Sequence, residues 1–145
     1  MRKLTRGHSG FTLIEVMVVV VILGILASVV VPRIMDNPDK ARTAKAKQDI
    51  RAIESALNLY KLDNFNYPST DQGLEALVEQ PSGTPEAKNW KQGGYLGNLP
   101  VDPWGNSYLY LSPGVNGEID IFTYGADGIS GGNDTNADVG NWNLN

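Results

Sequence analysis

Gly10-Phe11-Thr12-Leu13-Ile14-Glu15 is the stretch on which the reading of this chain turns. It joins a short basic leader, ending in Ser9-Gly10, to an apolar run over residues 11–31. Those 21 residues, rising about 1.5 Å each as a helix, would cross a hydrocarbon core about 30 Å thick. One charge interrupts the run near its start. A carboxylate at mid-bilayer costs about 2.5–3.5 kcal/mol on insertion scales, and less near the interface. Nothing basic lies within the run to offset Glu15, so its partner is expected outside this chain. Simpler readings stand beside that one: a charge snorkelling to the headgroups, a plain membrane anchor, or a secretory signal peptide cut near Ala27. The last lacks a convincing small-residue cleavage site, because Ala27-Ser28 runs into Val-Val-Val.

Composition points to one anchor and one domain. Of 145 residues, setting aside about 35 for leader and stem leaves roughly 110, enough for one small domain. The formal net charge is −4; without leader residues Arg2, Lys3 and Arg6, nine basic residues remain against sixteen acidic, giving −7. Such a chain has no basic surface to neutralise phosphates, which excludes nucleic acid as a partner. A basic leader before an apolar run places the N-terminus in the cytoplasm by the positive-inside rule, with the acidic remainder across the membrane. There is no cysteine, so no disulfide closes the domain.

Past the membrane, Ala46, Ile50, Ile53, Leu57 and Tyr60 recur at helical spacing and line one face. Lys45, Lys47, Asp49, Arg51 and Glu54 occupy the other faces, as on a helix laid on a sheet. Pro32 and Pro38 interrupt the stem, so a kink or local break is expected between Pro32 and Asp39, with a merely kinked continuous helix as the alternative. Ser69-Thr70-Asp71-Gln72 has capping-box spacing and opens a short helix ended by Pro81. Residues 82–106 form a Gly- and Pro-rich loop anchored by Trp90, Tyr95 and Leu99. Ser107-Tyr108-Leu109-Tyr110-Leu111 and Ile119-Asp120-Ile121-Phe122-Thr123-Tyr124 read as strands joined through an Asn116-Gly117 turn. The expected fold is α+β: a long N-terminal helix, membrane-spanning then amphipathic, packed on a small antiparallel sheet.

Gly-Phe-Thr-Leu-Ile-Glu after a basic leader resembles the processing site of type IV pilins and type II secretion pseudopilins. The resemblance implies that a prepilin peptidase cuts between Gly10 and Phe11 and methylates Phe11. It also implies that Glu15 is neutralised by the amino terminus of a neighbouring subunit in a filament. Tyr60-Lys61-Leu62-Asp63-Asn64, Tyr67-Pro68, Gln72-Gly73-Leu74-Glu75-Ala76-Leu77 and Asp102-Pro103-Trp104-Gly105-Asn106 narrow it. With the absent cysteines, they resemble the major, G-type pseudopilins. Read without the family, Asp102 to Asn106 is a turn with a tryptophan lid.

Ligand chemistry concentrates in residues 125–140, where Asp127, Asp134, Asp138 and two asparagines sit in a glycine-rich loop. Their mutual repulsion and ordering entropy would both be relieved by a hard cation with oxygen ligands, and Ca²⁺ suits a flexible loop better than Mg²⁺. Asp134-x-Asn136-x-Asp138 opens like an EF-hand and then fails, with Val139 at the glycine position and no closing glutamate. On residues alone, a solvated acidic loop and a metal site stand equal. The resemblance implies one calcium ion, held by Asp127, Asp138 and the carbonyls of Tyr124 and Ile129. Asp134, in a stretch where the family varies, is a further candidate. Asn133-Asp134-Thr135 matches a glycosylation sequon by coincidence.

Catalysis finds no footing: the one histidine, His8, lies in the leader, and there is no nucleophile elbow or phosphate-binding loop. The resemblance implies a structural subunit with leader 1–10, transmembrane and filament-core segment 11–31, and periplasmic head 32–145. It would be inserted singly in the inner membrane, among lipid, then polymerised into a helical periplasmic filament. Growth of that filament, driven by a cytoplasmic ATPase, would help push folded proteins through an outer-membrane secretin. Its partners would be further copies of itself, minor pseudopilins, the inner-membrane assembly platform and the prepilin peptidase. The alternatives are a type IV pilus subunit, or a membrane-tethered calcium-dependent binding module that forms no filament.

Overall fold

The structure, a computed structural model, describes residues 10–145, and for residues 30–37 the backbone only. The leader expected at 1–10 therefore lies outside the described residues except for Gly10. The chain divides into two compact units, Met1–Pro38 and Asp39–Asn145.

Helix α1 spans Leu13–Asn64. Its start is set locally: Thr12 Oγ1 accepts the Glu15 N–H at 3.3 Å, and Glu15 Oε2 accepts the Thr12 N–H at 3.4 Å. This is the reciprocal geometry of a Thr-x-x-Glu capping box, with long bonds. In the first unit every residue over 11–29 is exposed, the large apolar side chains from 50% at Val16 to 83% at Phe11. Ser28 hides its hydroxyl in the helix by donating to the Ile25 carbonyl at 2.7 Å. Among the described residues, no helix is long and apolar enough to cross a membrane. Residues 30 and 31 of the expected span fall beyond the side chains described.

No break separates Pro32 from Asp39, because α1 is helical throughout that stretch. The continuous helix is the alternative expected there, and proline's fixed φ of about −65° is compatible with it.

In the second unit the predicted stripe is the core. Ala46, Ile50, Ile53 and Leu57 are fully buried, and Tyr60 nearly so, against Leu77, Tyr108, Tyr110, Ile121 and Val139. Each large apolar side chain so buried contributes about 1.5–3 kcal/mol. Strands β1 (Leu109–Leu111), β2 (Asp120–Thr123) and β3 (Val139–Gly140) form an antiparallel sheet in that order. Tyr110 pairs with Ile121 and both face the core, while their neighbours Leu109 and Phe122 face outward, half-exposed. The expected hairpin is present with shorter strands. β3 was not foreseen.

Polar side chains fix the connections. Asp120, 1% exposed, accepts the backbone N–H groups of Val115 at 2.8 Å and Asn116 at 3.0 Å, and the Asn116 side-chain amide at 3.0 Å. The hairpin loop is thus organised by a buried carboxylate as well as by its Asn-Gly pair. Ser69 and Gln72 make the predicted capping box, with bonds of 3.2 and 3.0 Å. It leads into a 3-10 turn, Leu74–Leu77, rather than an α-helix reaching Pro81. Trp90 and Tyr95 pack on the core as expected; the Trp90 indole donates to the Ala76 carbonyl at 2.9 Å. Asp102, buried, accepts the N–H groups of Trp104 and Asn106 at 3.0 and 2.8 Å and the Thr123 hydroxyl. This carboxylate joins the Asp-Pro-Trp-Gly-Asn turn to the end of β2, where the acidic loop begins. Sheet and helix are tied by the Tyr108 hydroxyl, which donates to Asp49 Oδ2 at 2.9 Å. Burial first, then that bond to a carboxylate, raises the Tyr108 phenol above the ordinary tyrosine range.

Candidate functional site

Two 3-10 turns, Gly125–Asp127 and Asp134–Asn136, pack against each other inside the loop between β2 and β3. Their approach needs glycine at two places. A Cβ on Gly125, at φ +72°, would lie 2.8 Å from the Ala137 carbonyl oxygen; one on Gly132, at φ +91°, would lie 2.5 Å from that of Asn136. The backbone itself occupies the room that side chains would take.

The two aspartates matched by the resemblance reach the same short segment. Asp127 Oδ1 accepts the Ile129 N–H at 3.1 Å. Both oxygens of Asp138 accept the Gly131 N–H, at 3.0 and 2.9 Å. Amides two residues apart are separated by about 7 Å at most. Asp127 and Asp138 therefore converge on residues 129–131, with Ile129 at that segment's start. Tyr124 caps the first turn, its ring 5.4 Å from that of Phe122. Asp134 opens the second turn, exposed, with a positive φ of 53°. Among the described residues, no three carboxylate or imidazole groups gather to hold a metal. A cation here would need main-chain carbonyls in its shell. The oxygens on offer would suit a hard ion such as calcium.

The loop is closed by residues that sequence reasoning missed. The Asn141 N–H donates to the Ile121 carbonyl at 3.0 Å, its side-chain oxygen accepts the Ile121 N–H at 3.2 Å, and its amide donates to the Ile119 carbonyl at 3.0 Å. The side chain thus imitates strand backbone where β3 ends. Asn143 accepts the Gly140 N–H at 2.9 Å and donates to the Asp138 carbonyl at 3.0 Å. Trp142 lies over Gly140, where an added Cβ would come within 2.5 Å of the indole, and its ring is 5.6 Å from Phe122. Arg51 on α1 donates to the Leu144 carbonyl at 2.8 Å. The only sequence signal for this closure was the Gly-Asn-Trp-Asn run.

At the other end, Gly10 and Phe11 are exposed. Glu15 has a partner inside the chain, the Thr12 amide, which the sequence analysis did not weigh.

Comparison with known proteins places these features. The family described as Type II secretion system (T2SS), protein G matches residues 33–142, and the Prokaryotic N-terminal methylation motif matches residues 5–31. The chain is 64% identical over 137 residues to the type II secretion system core protein G of Pseudomonas aeruginosa, covering 94% of this chain and 96% of that one. It is 62% identical over 142 residues to the core protein G of Vibrio cholerae, covering 98% and 97%. The crystal structure of the major pseudopilin from the type 2 secretion system of enterohaemorrhagic Escherichia coli aligns with a TM-score of 0.66 at 49% identity, covering 74% of this chain and 92% of that one. Matched over most of its length in both sequence and fold, the chain belongs to the type II secretion system protein G family, the major pseudopilins.

Proposed function

We propose that this chain is the structural subunit that polymerises into the periplasmic pseudopilus of a type II secretion system, helping to drive folded proteins across the outer membrane. The observation that carries this reading is the exposed, almost wholly apolar segment over residues 11–29. A helix hydrophobic all round needs an apolar environment. Lipid of the inner membrane supplies it before assembly, as a single-pass anchor with the head in the periplasm. The same segments of neighbouring subunits supply it in the filament. Family membership favours secretion over a type IV pilus, and homologues of this kind are structural subunits rather than enzymes.

Prepilin peptidase cuts between Gly10 and Phe11 and methylates Phe11, a reading supported by the matched methylation motif. Glu15 then exchanges its weak local bond to Thr12 for the amino terminus of an adjacent subunit, which removes the cost of a carboxylate in an apolar core. The head meets minor pseudopilins and the inner-membrane assembly platform. In the acidic loop, Asp127 and Asp138, with the carbonyls of Tyr124 and Ile129 and Asp134 as a further donor, would hold calcium. That ion would neutralise the carboxylates and fix the loop, the part that a disulfide plays in many pilins.

Deletion of the gene tests the function. Secreted enzymes trapped in the periplasm, released again by the plasmid-borne gene, are expected. Normal secretion with loss of surface pili would overturn the reading in favour of a pilus subunit.

A further inference from the structure

The side chain of Asp138 is held by the Gly131 N–H, but its main chain is held from behind. Asn143 spans the turn at the end of β3, accepting from Gly140 and donating to the Asp138 carbonyl oxygen. The Asn143 N–H also donates to the Gly140 carbonyl at 3.1 Å. One amide side chain therefore fixes the backbone at residues 138 and 140 together. Beneath it, Trp142 presses on Gly140, and β3 pins Val139 opposite Thr123. The backbone at Asp138 is thereby held, and its carboxylate lies against the Gly131 N–H.

We propose that Asn143 is a positioning residue for a cation in this loop: it does not touch the ion but aims Asp138 at it. The inference rests on the calcium reading above. Groups that orient metal ligands from behind are worth about 10–100-fold in metal affinity when removed. The arrangement also explains why an exposed asparagine spends both ends of its amide on backbone rather than on water.

The test uses the full chain in detergent micelles and terbium(III), a luminescent stand-in for calcium that the nearby Tyr124 and Trp142 can sensitise. Decay in light and heavy water counts the water molecules on the ion. Wild type should bind terbium competitively with calcium. Asn143→Ala should bind at least about tenfold more weakly, with about one extra water on the ion, the same signature as Asp138→Ala. Asn143→Ser, neutral and too short to reach both Gly140 and Asp138, adds no charge beside the ion, and it too should show weaker binding and the extra water. Either Asn143 variant, folded by circular dichroism, with wild-type affinity and water count would overturn the proposal while leaving the calcium reading intact. A wild-type chain that binds neither ion would overturn both.

Discussion

The two halves of α1 are one continuous helix with opposite ways of being stable. Over residues 11–29 its side chains are mostly apolar on all sides and none is buried by the chain itself. From Ala46 to Tyr60 the stripe Ala46, Ile50, Ile53, Leu57 and Tyr60 is buried in the head, while Leu59 stays exposed. A short helix alone is marginal in water, and packing of one face supplies most of its stability. The second half finds that packing within its own chain. The first half finds none within its own chain.

Glu15→Ala gives the largest expected effect and acts on the first half alone. Filament assembly and secretion should fall to background, while membrane insertion and thermal unfolding of the head stay as in wild type. Normal filaments from that variant, seen by shearing and electron microscopy, would sink the pairing with a neighbouring amino terminus. Next in size is a matched pair of substitutions. Leu57→Ala should destabilise the head by about 2–5 kcal/mol, because it opens a cavity at a fully buried site. Val19→Ala, in the exposed half, should leave the head's denaturation midpoint unchanged; an equal loss from both would erase the distinction between the halves.

Alkaline pH separates them more gently. Burial pushes the Tyr110 phenol up from 10.0 to about 12. The folded head keeps a proton that the unfolded chain releases near pH 10, so this contribution is complete below about 10 and disappears as pH climbs toward 12. Tyr108 is shifted in the same direction. Head stability should therefore fall over that window. The helix signal from residues 11–29, whose only ionisable side chain is Glu15, should persist. Tyr110→Phe should make the fall shallower, at a cost of about 1 kcal/mol from the lost bond to the Pro68 carbonyl.

The stripe on α1, the Ser69–Gln72 capping box and the hairpin were legible because each is a local pattern: a helical period, a three-residue spacing, two alternating runs around a turn. β3 was not, since two residues have no periodicity. Nor was the strand-like role of Asn141, which depends on meeting Ile119 and Ile121 from twenty residues away. At the prolines, residue types left a break and a kinked continuous helix equally placed, because a proline both removes a hydrogen bond and enforces a helical φ; the helix is continuous. For the loop, residue types alone left solvent and metal equally placed, and the resemblance supplied the candidate ligands. The sequence could not say that Asp127 and Asp138 meet the same three-residue segment, because that depends on how the glycines fold the loop back.

Asn141 reaches Glu54, 87 positions earlier, at 3.4 Å, and Arg51 holds the Leu144 carbonyl across 93. Contacts of such long range form late, because the intervening chain must be closed first. The head's sheet lacks its third strand, and its helix lacks the clasp at Arg51, until residues 139–144 arrive. Both ties depend on the last residues of the chain, so loss of residues 139–144 would cost the head its third strand and its hold on the helix together.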